Sequence, residues 1–355
     1  MAAHYLDRLF HPRSVAVFGA SERAGSVGAR VYANLLEAGF RGSVFPINPK
    51  YRKLGGQPCY PDIAHIGAPV DLAVIATPAH TIPDILHACG EHGVHAVIVL
   101  SAGFEGTGGR ELQTLLLQAA QPYGMRVLGP NCLGLIRPQL GLNATFSKDG
   151  ALPGNLALVS QSGALCTAIL DWARAREVGF SAVVSIGDAV DVDFGDLLDF
   201  LALDTETRGI LLYVEGMNHA RRFMSGLRAA ARVKPVIVVK AGRHGAGSRA
   251  AQSHTSALVA ADDVFDAALR RAGAVRAHSI DQLFAAAQLL ASHHRMRGDR
   301  LAIVTNGGGP AVMAVDRAAD LGLQLAELSP ATLQALDAVL PAHWPRANPV
   351  DILGD

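Results

Sequence analysis

Apolar runs and amphipathic helical stretches alternate along the chain. In the first 140 residues the apolar runs lie at 15–18, 43–47, 71–76, 95–100 and 126–128, and helical stretches such as 27–38, 81–92 and 110–120 separate them. Continuous runs rich in β-branched residues are typical of strands buried on both faces of a parallel sheet. The pattern therefore predicts an α/β fold, with helices covering a mostly parallel sheet.

The same arrangement begins three times. An apolar run that ends in a small-residue loop occurs at 15–21, 156–163 and 301–309, and further runs follow the second start at 182–186, 209–214 and 235–240. The starts are about 140 to 145 residues apart, the usual size of one domain. We therefore expect domains at 1–140 and 150–292, and the incomplete start of a third α/β domain at 298–355.

Charge and cysteine content narrow the class of protein. The chain has 31 Lys and Arg against 31 Asp and Glu, so it lacks the broad basic field of a nucleic-acid or anionic-membrane binder. No apolar run approaches the length of a membrane span. The four cysteines lie far apart without metal-ligand spacing, and the first residues contain no apolar signal segment. We expect a cytoplasmic protein with no metal, no membrane contact and no nucleic-acid partner.

The loop after the first predicted strand is a candidate phosphate site. Residues 19–28 (GASERAGSVG) join this strand to a helix, where glycines and a helix N-terminus can hold a pyrophosphate. The second strand ends with Lys50, whereas NAD sites usually place an acidic residue there. A cation suits a phosphorylated ribose, as in NADP or coenzyme A (CoA). A plain structural turn and a solvated lysine remain the alternatives.

Cys132 and the acidic run 188–196 are assigned structural roles and not catalytic or metal-binding ones. Cys132 has no activating base nearby in the sequence, so we interpret it as a packed residue rather than a nucleophile. The acidic run 188–196 is interpreted as a solvated, helix-capping segment rather than a metal site.

Of the 14 histidines, His254 has the sequence surroundings that best fit a catalytic residue. It lies in 251–258 (AQSHTSAL), after a glycine-rich stretch at 242–248 and before an apolar helical run. Hydroxyl residues and backbone N–H groups in such a setting can receive a phosphate beside the imidazole.

These segments together resemble a known family, the NDP-forming acyl-CoA synthetases, which are relatives of the succinyl-CoA ligase α subunit. The resemblance covers essentially the whole chain. It is carried, in order, by 17–21 (VFGAS), 48–50 (NPK), 129–134 (GPNCLG), 159–164 (VSQSGA), 212–216 (LYVEG) and 253–255 (SHT). It implies a Rossmann-like CoA-binding domain followed by a flavodoxin-like, succinyl-CoA synthetase-like domain.

The resemblance also implies roles for particular residues. His254 matches the phosphorylated histidine, and Glu215 matches the carboxylate that orients it. The residues matched to CoA binding are Gly19, Ala20, Ser21, Arg23, Lys50, Thr77, Pro78, Ser101, Ala102 and Gly103. Those matched to the phosphoryl group are Gln161, Ser162, Gly163, Thr255 and Ser256.

The implied reaction joins a small carboxylic acid to CoA. An acid, CoA and ATP give acyl-CoA, ADP and phosphate, reversibly, through an acyl phosphate and phospho-His254. ATP or ADP with magnesium would bind an ATP-grasp domain or subunit outside this chain, in an oligomeric enzyme. The sequence does not indicate the acyl group.

Two features keep an alternative open. Ser256 stands where many synthetases have glycine, and 185–215 resembles synthetase-like regions fused to a GNAT acetyltransferase domain. The alternative is a CoA-sensing or acyl-CoA-sensing region of a protein lysine acetyltransferase. A third hypothesis, an NADP oxidoreductase, lacks a recognisable hydride-transfer acid.

Overall fold

The fold is described from a computed structural model, which covers residues 4–104, 108–243, 261–291 and 298–354. The chain divides into two compact units, 1–293 and 294–355. The first unit holds both large sheets.

The first sheet is parallel and is formed by the strands that the apolar runs predict. Its strands are β1 (Ser14–Phe18), β2 (Ser43–Ile47), β5 (Leu72–Ile75), β6 (Ala96–Val99) and β7 (Arg126–Leu128), and β3 (Lys53–Leu54) and β4 (Gln57–Pro58) form a separate small hairpin. The helices are α1 (Asp7–Phe10), α2 (Val27–Glu37), α3 (Ile82–Glu91) and α4 (Gly109–Ala120). The strand order is β2-β1-β5-β6-β7. Every residue of β1, β5 and β6 is buried, as expected for a sheet covered on both faces.

The second sheet repeats this plan. Its parallel strands are β10 (Pro153–Ser160), β11 (Phe180–Ser185), β12 (Gly209–Val214), β13 (Val236–Lys240) and β14 (Val275–Ala277). The helices are α5 (Gly163–Arg174), α6 (Phe194–Leu203), α7 (Ala220–Ala231), α8 (Asp262–Ala272) and α9 (Ile280–Ala291). Its full order is β14-β13-β12-β10-β11-β8-β9.

A hairpin that the sequence pattern did not predict extends this second sheet. β8 (Gly134–Arg137) and β9 (Leu142–Thr145) are antiparallel, and β8 pairs antiparallel with β11. Strand pairing thus places 134–145 in the second sheet. The domain limits at 140 and 150 stay predictions.

One of the hydrophobic clusters spans both sheets. A single cluster of buried residues includes Ile98 and Leu128 of the first sheet together with Val159 and Val184 of the second. Burial of apolar surface between the sheets is thus continuous, which favours a fixed arrangement of the loops that meet there.

The second unit is smaller. It contains α10 (Gly308–Asp320) and α11 (Pro330–Asp337), with β15 (Arg300–Leu301) paired to β17 (Gln324–Leu325) and β16 (Val304–Thr305) paired to β18 (Val350–Asp351). Both pairs are parallel, and the assignment of 298–355 to a third α/β domain stays a prediction. Across both units, no described helix has the length and apolarity needed to cross a bilayer.

Candidate functional site

The first candidate site lies where the connections of the first sheet change direction. The chain leaves β1 toward β2 on one side and returns to β5 on the other side. In a doubly wound sheet this switch point leaves a crevice at the carboxyl ends of the strands. Gly19 follows β1 and Thr77 lies two residues after β5, so both predicted CoA residues lie at this crevice.

A cavity of about 900 Å³ occupies the crevice. Six of the ten residues assigned to CoA line it, namely Gly19, Ser21, Arg23, Lys50, Thr77 and Pro78. Arg23 and Lys50 are exposed side chains that bring positive charge to the cavity, and Asp62 and Asp84 line it as well. The volume is that of a site for a small molecule or cofactor, roughly 300–1,000 Å³.

Glycine is required at two positions where α2 meets β1. Gly19 has φ +83°, and a Cβ added there would lie 2.8 Å from the Ala76 carbonyl oxygen. A Cβ added at Gly28 would lie 1.9 Å from the Gly19 carbonyl oxygen. The start of α2 therefore packs directly on the turn, which brings its N-terminal N–H groups to the cavity.

Asn48 organises this cavity, although the sequence analysis did not select it as a site residue. Its Nδ2 donates to the Ala20 carbonyl oxygen at 2.7 Å, and its Oδ1 accepts from the Lys50 N–H at 3.0 Å. The side chain thus ties the loop after β1 to the loop after β2. Its position between Pro46 and Lys50 at a strand end was the available signal.

A second cavity, of about 550 Å³, adjoins the first. Val27 and Ala76 line both cavities. Ser101 and Ala102, two further predicted CoA residues, line the second, and the Ser101 hydroxyl donates to the Thr77 carbonyl oxygen at 2.5 Å. The two cavities are therefore neighbours, with Val27 and Ala76 between them.

Two predicted CoA residues line neither cavity. Ala20 is fully buried, and its carbonyl oxygen is the acceptor for Asn48. Gly103 is exposed with φ +103°, beside Ala79. Cys132 lines the second cavity but is 3% exposed, and burial raises the pKa of its thiol far above the ordinary value. It is a packed residue, as interpreted from the sequence.

The second sheet has its own switch point, between β10 and β12. Gln161 follows β10 and Glu215 follows β12, and the structure brings them together. The Gln161 Oε1 accepts from the backbone N–H groups of Glu215 at 2.6 Å and Gly216 at 3.1 Å. Burial and the Glu215 carboxylate raise the pKa of Tyr213, whose hydroxyl is hydrogen-bonded to Glu215.

Ser162 and Gly163 begin α5 beside this pair. The Ser162 side chain caps the helix by accepting from the Leu165 N–H at 3.3 Å, and Gly163 lines the second cavity. The positive end of the helix dipole therefore faces the cavity. His254, Thr255 and Ser256 lie outside the described residues.

The acidic run 188–196 caps a helix, as predicted, but it is not solvated throughout. Asp193 and Asp196 form a capping box at the start of α6, and Asp196 is 1% exposed. Burial alone would raise the pKa of Asp196, but its hydrogen bond to the Asp193 N–H and the charges of Arg126 and Arg222 lower it. Burial also raises the pKa of Asp193, with Asp196 beside it. Within the described ranges, no group of three or more His, Cys, Asp or Glu side chains could hold a metal.

Family models match the two large domains separately. Residues 13–138 match a model described as a CoA binding domain, and residues 153–290 match one described as a succinyl-CoA ligase like flavodoxin domain. The chain therefore combines these two domains in one α/β protein.

Individual relatives extend the similarity over the whole chain. The acetate–CoA ligase [ADP-forming] I of Archaeoglobus fulgidus is 43% identical over 99% of this chain and 51% of its own length. Its counterpart in Pyrococcus furiosus, the subunit alpha, is 41% identical over 98% of this chain and 77% of its own length. The chain thus spans about half of some curated relatives and most of a separate α subunit.

Among solved structures, the dinucleotide-forming acetyl-coenzyme A synthetase 1 of Ca. Korarchaeum cryptofilum, in complex with phosphate and ADP, superposes with a TM-score of 0.93. It is 39% identical, over 98% of this chain and 76% of that one. The chain belongs to the family of ADP-forming acetyl-CoA synthetases and is similar to their α subunit.

Proposed function

We propose that this chain is the CoA-binding and phosphohistidine-bearing part of an NDP-forming acyl-CoA synthetase. The observation that supports the proposal is that described residues predicted for both sites lie at switch points, beside two neighbouring cavities. The first cavity, which Arg23 and Lys50 line, adjoins the second at Val27 and Ala76, and Gly163 connects the second cavity to the loop of Gln161.

CoA would extend from the first cavity to the second. Arg23 and Lys50 would bind its phosphates, and the Gly19, Ala20 and Ser21 turn would present backbone donors to the pyrophosphate. The pantetheine arm would pass Thr77 and Pro78 and reach the second cavity beside Ser101 and Ala102, which Gly103 follows in the chain. Six of the ten residues matched to CoA line the first cavity, which supports this placement.

The phosphoryl group would lie at the start of α5. The Oε1 of Gln161 is used by backbone N–H groups, which leaves the amide donors of Nε2 for an anion. Ser162 and Gly163 supply the helix N-terminus, and Thr255 and Ser256 would complete the cradle. The Glu215 carboxylate would accept from one ring nitrogen of His254 and leave the other nitrogen basic enough to attack phosphorus.

The reaction follows from these positions. A phosphate oxygen attacks the thioester carbonyl of acyl-CoA and displaces the CoA thiolate, giving an acyl phosphate. His254 attacks the phosphorus and releases the carboxylate, and phospho-His254 then transfers the phosphoryl group to ADP. Each step depends on positioning and on charge stabilisation around phosphorus. In the opposite direction the enzyme activates an acid at the expense of ATP.

ATP or ADP, with magnesium, would bind an ATP-grasp domain or subunit outside this chain. One named relative is an α subunit, and the solved relative is a complex with phosphate and ADP. We propose such a partner, an oligomeric enzyme and a cytoplasmic location. These relatives are ligases, which favours the ligase over a sensing region joined to a GNAT domain.

Phosphate labelling tests the proposal. With [γ-³²P]ATP and the ATP-grasp partner, the wild-type chain should become labelled and His254→Ala should not. Equal labelling of both would contradict the proposal. The sensing alternative instead predicts CoA-dependent changes in assembly or acetyltransferase activity without a phosphohistidine.

A further inference from the structure

The size and lining of the second cavity indicate which acid the protein uses. Membership of the family does not determine this acid. Relatives of this chain include ligases named for acetate, 4-hydroxybutyrate and trans-ferulate. We infer that the acid used here is a monocarboxylic acid with an uncharged tail longer than that of acetate, and that Phe146 limits the length of this tail. The inference rests on the proposed function, because it requires the CoA thiol to reach the second cavity.

The size of the cavity is the first argument. Its volume of about 550 Å³ lies beyond Val27 and Ala76, the two residues that it shares with the first cavity. The nucleotide end of CoA is assigned to the first cavity, so the second receives the thiol end, the acyl group and the phosphate at the start of α5. An acetyl group beside that phosphate would leave part of this volume without contacts, whereas a longer tail would fill more of it.

The lining is the second argument. Among the described residues that line the second cavity, none has a charged side chain, and Leu100, Leu133 and Phe146 give it large apolar groups. A dicarboxylic acid would place its second carboxylate against this surface, where the described lining residues offer it no cationic side chain. Burial of an unpaired charge is costly, so the cavity favours a neutral tail.

The backbone at Phe146 is anchored by its neighbours, although the residue is 37% exposed. It follows β9 and lies between two backbone carbonyls that Asn34 binds. The Asn34 Nδ2 donates to the Thr145 and Ser147 carbonyl oxygens, both at 2.8 Å, and Asn34 itself is 5% exposed. The Ser147 N–H also donates to the Thr145 Oγ1 at 3.2 Å. Buried hydrogen bonds on both sides fix the backbone that presents this ring to the cavity.

This anchored backbone distinguishes Phe146 from an ordinary surface residue. An exposed aromatic residue on a loose loop would adapt to any acyl group. A ring on an anchored backbone lines the cavity at a defined position and discriminates between substrates by size. Phe146 is therefore a specificity-determining residue rather than a catalytic one.

Binding of acyl-CoA thioesters tests the size and charge arguments. The purified protein, with any further natural length and partner chain retained, would be titrated calorimetrically with CoA and with its acetyl, butyryl and succinyl thioesters. We expect butyryl-CoA to bind about tenfold more tightly than acetyl-CoA, as two buried methylenes imply. Succinyl-CoA should bind no more tightly than CoA. Equal affinities for all thioesters, or tightest binding of succinyl-CoA, would overturn the inference.

Substitutions at Phe146 test its role. Phe146→Ala should raise the preference for phenylacetyl-CoA over acetyl-CoA about tenfold or more, and Phe146→Trp should reduce the preference for butyryl-CoA over acetyl-CoA. Both variants should bind free CoA as the wild type does, which also shows that they are folded. Leu203→Ala removes a side chain that is 74% exposed at the end of α6 and should leave all preferences unchanged.

The outcomes separate this inference from the proposed function. If CoA does not bind the wild-type protein, the proposed function is wrong. If CoA binds but neither Phe146 variant changes the order of the thioesters, the function stands and the assignment of Phe146 is wrong.

Discussion

Two amide side chains set the geometry of the loops at the switch points. Asn48 joins the loops after β1 and β2, and Gln161 joins those after β10 and β12. An amide suits this task because it offers both an acceptor and donors without bringing a charge to a site for anions. Each amide thereby holds together two loops that follow neighbouring strands but are separated in the sequence.

Replacement of Gln161 should uncouple the second pair of loops. Gln161→Leu removes the acceptor of the Glu215 and Gly216 N–H groups, and each lost partner costs about 1–3 kcal/mol if the group stays buried. We expect phosphoryl transfer to fall at least about tenfold while CoA affinity is unchanged. Steady-state kinetics and calorimetry measure the two quantities. Gln118→Leu, on the exposed face of α4, is the matched control and should behave as the wild type.

Lys50 should distinguish CoA from its 3′-dephospho form. If the ammonium group binds the 3′-phosphate, Lys50→Ala should weaken CoA binding roughly tenfold, because a charge-assisted contact is lost. The affinity for 3′-dephospho-CoA should stay constant, and the CoA difference should shrink at high salt. Lys148→Ala, another exposed lysine, provides the comparison. An equal loss of affinity for CoA and for 3′-dephospho-CoA would show that Lys50 does not bind the 3′-phosphate.

At the scale of elements, the β8–β9 hairpin is attached by a buried ion pair. Arg137, at the end of β8 and 1% exposed, donates from Nη1 to the Asp204 Oδ2 at 2.7 Å, just after α6. The Thr207 hydroxyl donates to the same oxygen at 2.7 Å. Burial alone would raise the pKa of Asp204, but the hydrogen bond and charge of Arg137 lower it.

Replacement of Arg137 alone should destabilise the fold more than replacement of Arg137 and Asp204 together. Arg137→Met leaves the Asp204 carboxylate buried without its cation, at a cost of about 3–5 kcal/mol. Arg137→Met combined with Asp204→Leu should recover much of that stability. Urea unfolding at neutral pH measures both, and a double variant as unstable as the single one would contradict the explanation.

The same pair predicts the direction of an acid effect. Because the pKa of Asp204 is lower in the folded protein, the pair contributes stability above the unfolded pKa of about 3.9, and this contribution is lost as the pH falls through the folded value. The double variant should therefore show a smaller loss of stability than the wild type below about pH 4.

Elements of the parallel sheets were predictable because their signals are local. The apolar run at 43–47 coincides with β2, and the helical spacing at 27–38 corresponds to α2. The hairpin at 134–145 was not predicted, because its pairing with β11 joins residues that are far apart in the sequence. The role of Phe146 likewise depends on how the two sheets pack, which no local pattern encodes. Asp196 was expected in solvent because its burial also depends on this packing.

At the scale of the first unit, Arg126 links the two sheets. From β7 it donates to the Asp191 carboxylate at 2.9 and 3.0 Å, and it lies 3.2 Å from the Asp196 Oδ1. Its guanidinium also lies 4.9 Å from the centre of the Tyr5 ring. Burial, the Asp196 charge and the hydrogen bond to Asp196 raise the pKa of Tyr5 to about 12. One side chain thus joins the first sheet, the start of α6 and the N-terminal segment.

Removal of this link should loosen the contact between the sheets. Arg126→Ala leaves the buried Asp196 with fewer partners, and we expect a loss of about 2–3 kcal/mol in thermal unfolding, from hydrogen bonds to charged groups. Arg174→Ala breaks an exposed ion pair with Asp149 and should cost less than about 1 kcal/mol. Similar losses for the two variants would show that Arg126 does not hold the sheets together.

The central claim is that this chain carries a phosphoryl group on His254 during acyl transfer. The most direct measurement is labelling of the protein with acetyl-CoA or butyryl-CoA and [³²P]phosphate in the absence of nucleotide. Under these conditions the acyl phosphate is the only donor that can transfer a labelled phosphoryl group to the histidine. Wild type and His343→Ala, which replaces an exposed histidine of the second unit, should acquire a label that is stable to base and labile to acid. His254→Ala should remain unlabelled. Labelling of His254→Ala to the level of the wild type would contradict the account.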